Sequence, residues 1–166
     1  ILFISFFPQL VAGPIVRASE FLPQIPRPRR VRAGVMLHGA WLVVCGVFLK
    51  VVCADNLASY VDEYWSRGSR PDGDGIFSLW LAVMFSGQIF ADFCGYSTIA
   101  LGLGYLLGFT FPTNFNAPYI AGSFKEFWQR WHMTLSRWLR DYLYVPLGGN
   151  RRSPGRTYVN LMVVML

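Results

Sequence analysis

Charge is what this sequence has least of. Only 14% of its 166 residues are Asp, Glu, Lys or Arg, against about 25% in an average soluble domain. The apolar residues, 54% of the chain, gather into runs. That combination excludes an ordinary water-soluble domain and points to lipid as the solvent for much of the chain. Acids are scarcer than bases, nine against fifteen, for a net charge of +6. The bases fall in the gaps between apolar runs and are not interleaved with aromatics along strands. This excludes an RNA-binding module, and no nucleic-acid partner is expected; a juxtamembrane position explains the charges directly. Cysteine is also sparse. Cys45, Cys53 and Cys94 are odd in number, form no C-x-x-C pair and lie in or beside apolar runs. They read as small buried hydrophobes, not as a disulfide framework or a metal site. No charged leader or cleavage site precedes the first apolar run, so it is not a signal peptide. The run at Ile1 and the run at Leu166 both look cut, and the chain is expected to be an internal piece of a longer protein.

Aromatic residues, by contrast, are plentiful at 17%, as expected where rings sit at a bilayer interface. Residues 1–16 are apolar but broken by Pro8, Gly13 and Pro14, which fits the end of a span followed by a turn or a re-entrant piece. Residues 17–32 form a stiff basic linker with Arg17, Arg27, Arg29, Arg30 and Arg32 among three prolines. Residues 33–54 are the clearest span: 22 helical residues measure about 33 Å, enough for a hydrocarbon core of about 30 Å. Lys50 near its end is placed to snorkel. An acidic loop follows over 55–75, ending in the turn sequence PDGDG. Residues 76–111 are a second long apolar stretch, and 109–122 carry the loop residues Pro112, Asn114, Asn116 and Pro118. Residues 145–157 form a Gly/Arg/Pro turn region, and 158–166 start another span. The expected fold is all-α: a polytopic integral membrane helical bundle with an interfacial amphipathic helix.

The amphipathic helix is expected over 123–142. Ser123 and Glu126 make an S-x-x-E capping box. At about 100° per residue, Phe124, Trp128, Trp131, Leu135, Trp138, Leu139 and Tyr142 share one face, and Lys125, Gln129, Arg130, Ser136, Arg137 and Arg140 the other. Such a helix lies in the interface plane or flat under a bundle. His132 falls at the edge of the apolar face, either as a hydrogen-bonded boundary residue or as a neutral imidazole used as a base or positioning group. Asp141 is expected to pair with Arg137 one turn earlier.

Asp92 stands in the middle of an apolar run, with Gln88, Tyr96, Ser97 and Thr98 near it. An acid there is costly unless it faces protein or water, so it reads equally as packing glue or as part of a substrate path. Gly104 and Gly108 form G-x-x-x-G, expected to be a close helix contact. The turn LGGNRR (147–152), with Asn150 and Arg151, reads as a topogenic turn or as a backbone cradle for phosphate. Lys and Arg counts give the orientation. Five bases in 17–32 and seven in 109–157 place both segments in the cytoplasm and 55–75 outside, so 76–108 crosses an odd number of times.

The segment FWQRWHMTLSRWLRDYLYVPLGGNR (127–151) resembles the membrane-bound O-acyltransferase family, and most closely the bacterial branch that includes alginate O-acetylation and D-alanyl transfer to teichoic acid. FFPQLVAGPIVR (6–17) and QIFADFCGYSTIALGLGYLLGFTFPTNFNAPY (88–119) agree. The LGGNR ending is nearer the polysaccharide O-acetylating group. The resemblance implies one partial acyltransferase domain over 1–166 in a bacterial inner membrane. It implies no bound cofactor, an acyl donor such as acetyl-CoA or another acyl thioester, and an exported polysaccharide or a periplasmic acetyl-transfer partner as acceptor. It gives His132, in the R-W-H-x-x-L-S motif, a catalytic role; Asp92, Arg130, Ser136, Arg140, Asp141, Asn150 and Arg151 are the candidate substrate-path or supporting residues beside it. The family's second histidine, in a W-H-G motif on a following span, is absent; His38 in LHGAW has a different context and is not assigned that role. The rival readings are a transporter or export scaffold with Asp92 on a solute path, and a purely structural subunit.

Overall fold

A computed structural model describes Phe6 and residues 13–26, 30–66, 75–151 and 153–165. Every regular element among the described residues is helical. The chain divides into two compact units, one built on residues 17–111 and the other on 112–165 with the short segment 14–16.

The first unit is dominated by two long helices. Helix α1 is a single turn, Ala18–Phe21, continued by a 3₁₀ turn over Leu22–Gln24. Helix α2 runs from Ala33 to Trp65 and is π-helical over Phe48–Ala54. Helix α3 is unbroken from Gly75 to Leu106. Both long helices have the length and hydropathy to cross a membrane. Their outer faces are apolar and open: Leu37 is 74% exposed and Ile76 82%.

Helices α2 and α3 run antiparallel, and glycines set their distance. A Cβ on Gly39 would stand 2.9 Å from the Gly102 carbonyl oxygen, and one on Gly46 would stand 2.6 Å from that of Gly95. The reverse contacts are equally close. Two pairs of glycines, seven residues apart on each helix, therefore let the backbones touch, as small residues do in membrane helix pairs. This corrects the expectation for G-x-x-x-G. Gly104 instead packs on the Phe111 ring. Gly108, at φ 77°, ends α3 in a Schellman turn: the Phe109 N–H donates to the Gly104 carbonyl and the Gly108 N–H to that of Tyr105.

Two further expectations for this unit change. The acidic 55–75 segment is helical through Ser66, because Leu57, Val61 and Tyr64 recur at helical spacing and turn inward while Asp55, Asp62 and Glu63 stay exposed. The turn residues 71–74, with Arg67 and Arg70, lie outside the described residues. The 17–32 linker is in part helical and packed. Phe21 is fully buried and stacks among Phe6, Phe109 and Phe111. The Gln24 amide exchanges two hydrogen bonds with the Thr110 backbone, at 3.0 and 3.1 Å. Arg27 and Arg29, and most of 1–12, also fall outside the described residues.

The second unit contains a 3₁₀ turn over Pro118–Ile120, helix α4 (Phe124–Arg130), helix α5 (Met133–Leu139) with a π-helical turn over Arg140–Tyr144, and helix α6 (Pro154–Met165). The expected single helix over 123–142 is thus two short helices, broken at Trp131–His132.

Candidate active site

The break is built from both sides. The Ser123 hydroxyl accepts the Glu126 N–H and starts α4; this is half of the expected capping box, since the Glu126 carboxylate reaches back to the N–H of Gly122 and not to that of Ser123. Helix α4 ends where Trp131 adopts extended angles. His132 follows in the left-handed region, φ 40° and ψ 55°, a conformation costing a non-glycine residue about 1–3 kcal/mol. The loop before α4 answers the interrupted backbone. The Asn116 N–H donates to the Arg130 carbonyl at 3.0 Å, and the Met133 N–H donates to the Asn114 carbonyl at 2.9 Å. His132 is held between these two bonds. Ser136 closes the C-terminal side: its N–H donates to the His132 carbonyl at 3.0 Å and its hydroxyl to that of Trp131 at 3.4 Å.

Side chains reinforce the same bracket. Asn114 and Thr134 are buried, 1% and 3% exposed. The Thr134 hydroxyl donates to Asn114 Oδ1 at 2.6 Å and accepts the Ile15 N–H at 3.0 Å. Arg130 forks onto Glu126 at 2.8–2.9 Å and donates to the Asn116 carbonyl at 3.1 Å. An aromatic wall of Phe115, Tyr119, Phe127 and Trp131 backs the break, with Phe127 and Trp131 stacked 5.6 Å apart.

His132 is half-buried, and loss of hydration holds its pKa below the ordinary 6.5. The imidazole is therefore uncharged at neutral pH and able to accept a proton. Glu126 moves the other way for a carboxylate: the Gly122 N–H and then Arg130 hold it below its ordinary value, so it stays ionised as the anchor for Arg130.

The remaining residues singled out by sequence separate into groups. Arg130, His132 and Ser136 meet at the break. The Arg140 Nε donates to Asp141 at 2.8 Å on the π-helical turn. Asn150 and Arg151 are exposed on the turn after it. Several backbone N–H groups that a phosphate cradle would use on that turn are bonded inside the chain. Gly148 donates to Val145, Gly149 to Tyr144 and Arg151 to Gly148, while buried Asn160 donates to the Leu147 and Gly149 carbonyls. Arg152 lies outside the described residues.

Asp92 belongs to the first unit. The Lys50 ammonium donates to it at 2.5 Å and stands 3.6 Å from Asp55. Lys50 sits in the π-helical segment of α2 and turns toward Asp92 on α3. Sequence reasoning also missed Asn114, Thr134 and Asn116 as partners of the His132 segment. The only signal was a polar NFN triplet ahead of the capping box. His38 packs edge-on against Tyr105, 5.4 Å away on α3.

The family model described as MBOAT, the membrane-bound O-acyltransferase family, matches residues 1–166. The chain is 43% identical over 165 residues to a probable alginate O-acetylase of Pseudomonas aeruginosa, covering 99% of this chain and 31% of that protein. It is 41% identical over 168 residues to a peptidoglycan O-acetyltransferase of Helicobacter pylori, again covering 99% and 31%. A teichoic acid D-alanyltransferase of Bacillus subtilis is 31% identical over 145 residues, 86% of this chain and 36% of that protein. The chain thus spans about a third of the length of the curated relatives it matches.

Proposed function

Because the chain belongs to the membrane-bound O-acyltransferase family, we propose that its parent protein moves an acyl group, acetyl first of all, from a thioester donor to a hydroxyl of an exported polysaccharide. The observation that carries this reading is His132: an uncharged, half-buried imidazole held at a backbone break inside the segment that carries the resemblance. The acceptor hydroxyl attacks the thioester carbonyl carbon, the C–O bond forms, the C–S bond breaks, and the thiolate leaves. The hydroxyl proton must go to a base as the tetrahedral oxyanion forms, and a neutral histidine can take or orient it near pH 7. Alginate is the acceptor its similarity favours, with peptidoglycan next; acetyl-CoA is the simplest donor, and a periplasmic acetyl-transfer protein is a second route to the polymer.

We place the parent in the bacterial inner membrane as a multi-pass helical bundle. The α2–α3 pair gives two crossings, with 17–32 and 109–157 cytoplasmic and 55–75 outside. The Gln24–Thr110 bonds support this, since they join the two basic segments at one end of the pair. The transport reading has less behind it, because Asp92 is paired with Lys50. The test uses full-length protein in vesicles with acetyl-labelled acetyl-CoA outside and oligosaccharide acceptor inside. Label is expected in ester linkage to the sugar. Solute movement without donor consumption would replace acyl transfer with transport.

A further inference from the structure

We infer that Asn114 and Thr134 are positioning residues for His132, acting through the backbone bracket at the break between α4 and α5; this rests on the reading of His132 as part of the acyl-transfer site. The bracket has an unusual job. His132 occupies a left-handed conformation that its own side chain disfavours, so local preference does not keep it there. Two backbone bonds do, Met133 N–H to the Asn114 carbonyl and Asn116 N–H to the Arg130 carbonyl, and they enclose the Trp131–His132 pair from one side.

Those backbone bonds are only as well placed as Asn114 itself. Its side chain is locked by the Thr134 hydroxyl at 2.6 Å, and Thr134, two residues after His132, is locked in turn by the Ile15 N–H at 3.0 Å. Both side chains are almost wholly buried. Donating one bond and accepting another, the buried hydroxyl ties α5 to the loop before α4. Strained positions persist where their surroundings over-determine them, and here the surroundings are this polar chain. The Asn114 amide oxygen and the Thr134 hydroxyl bond to each other, and neither is assigned a chemical step. Their effect on the reaction is through where the imidazole stands, and a displacement of about 1 Å costs on the order of 10²-fold in rate.

The test compares Thr134→Val, Thr134→Ser and Asn114→Ala with His132→Ala in full-length protein, each normalised to folded protein by size-exclusion profile and thermal unfolding. Two readouts are taken: kcat and KM for acetyl transfer, and the rate at which diethyl pyrocarbonate modifies His132, followed by mass spectrometry. Thr134→Val and Asn114→Ala are expected to lower kcat about 10–100-fold with donor KM within about twofold, and to change the His132 modification rate. Thr134→Ser, which keeps the hydroxyl, is expected to restore both. A loss confined to the amount of folded protein, with kcat and His132 reactivity per folded molecule unchanged, would overturn the inference and leave a purely structural clamp. If His132→Ala retains full activity, the reading of the site fails instead, and the reactivity measurement still reports whether the clamp fixes the imidazole.

Discussion

His132 shows how a single residue's setting decides what it can do. On an unbroken helix it is a boundary histidine with one edge to water. In the left-handed turn it sits half-buried, and burial favours the neutral ring. The unfolded chain takes up this proton near 6.5, and the folded chain only at lower pH. Below 6.5 the unfolded state therefore binds more protons, so His132 subtracts from stability as pH falls through that window. Activity that needs the neutral ring follows the same sign. The acid limb of kcat/KM, measured on the full-length protein, is expected below pH 6.5; a limb at or above 6.5 would show an imidazole not shielded as the structure has it. Glu126 has the opposite sign: its contribution holds above its ordinary value of 4.5 and fades as pH drops through the lowered one.

At the scale of elements, the sequence was most informative where spacing alone sets structure. The two long apolar helices, the helix start at Ser123 and the turn at Gly148–Gly149 are all legible, because hydropathy runs, capping residues and glycines act locally. The acidic segment after residue 54 was legible too, in the 57–61–64 spacing, but its charge outweighed its period in the reading as a loop. The break at Trp131–His132 was not legible. Its residues keep a helical pattern on both sides, and the interruption depends on Asn114 and Asn116, more than a dozen residues earlier in the chain. The glycine contacts were half legible: glycines mark close approach, but which ones meet depends on the register of α2 against α3. That register gives a prediction. Gly46→Ala puts a Cβ into the Gly95 carbonyl and should cost about 1–3 kcal/mol, read as lower resistance to unfolding in detergent. Gly34→Ala meets nothing within 4 Å and should be neutral or gain up to about 1 kcal/mol from helix propensity. Equal effects from the two would contradict the crossing.

For the molecule as a whole, the shortage of charge has a consistent meaning. Over 33–54 and 76–106 the two long helices carry only Lys50 and Asp92, and Lys50, whose side chain is 41% exposed, turns to Asp92 and Asp55. An unpaired charge at the centre of a membrane-crossing helix costs about 2.5–3.5 kcal/mol on insertion scales, and pairing with Lys50 offsets a cost of that kind for the acid in α3. The basic surplus lies in the segments that flank the spans. What neither composition nor spacing supplied was the chemistry, which rests on 25 consecutive residues, 127–151, and on the family they mark. The proposed site stands or falls with His132 as part of the acyl-transfer machinery of the full-length protein. The most direct measurement is polymer acetylation by His132→Ala, expressed at the normal level and shown to be folded. A loss of on the order of 10²-fold or more is expected, the range for removing a positioned acid–base group. Acetylation at the wild-type rate would contradict it.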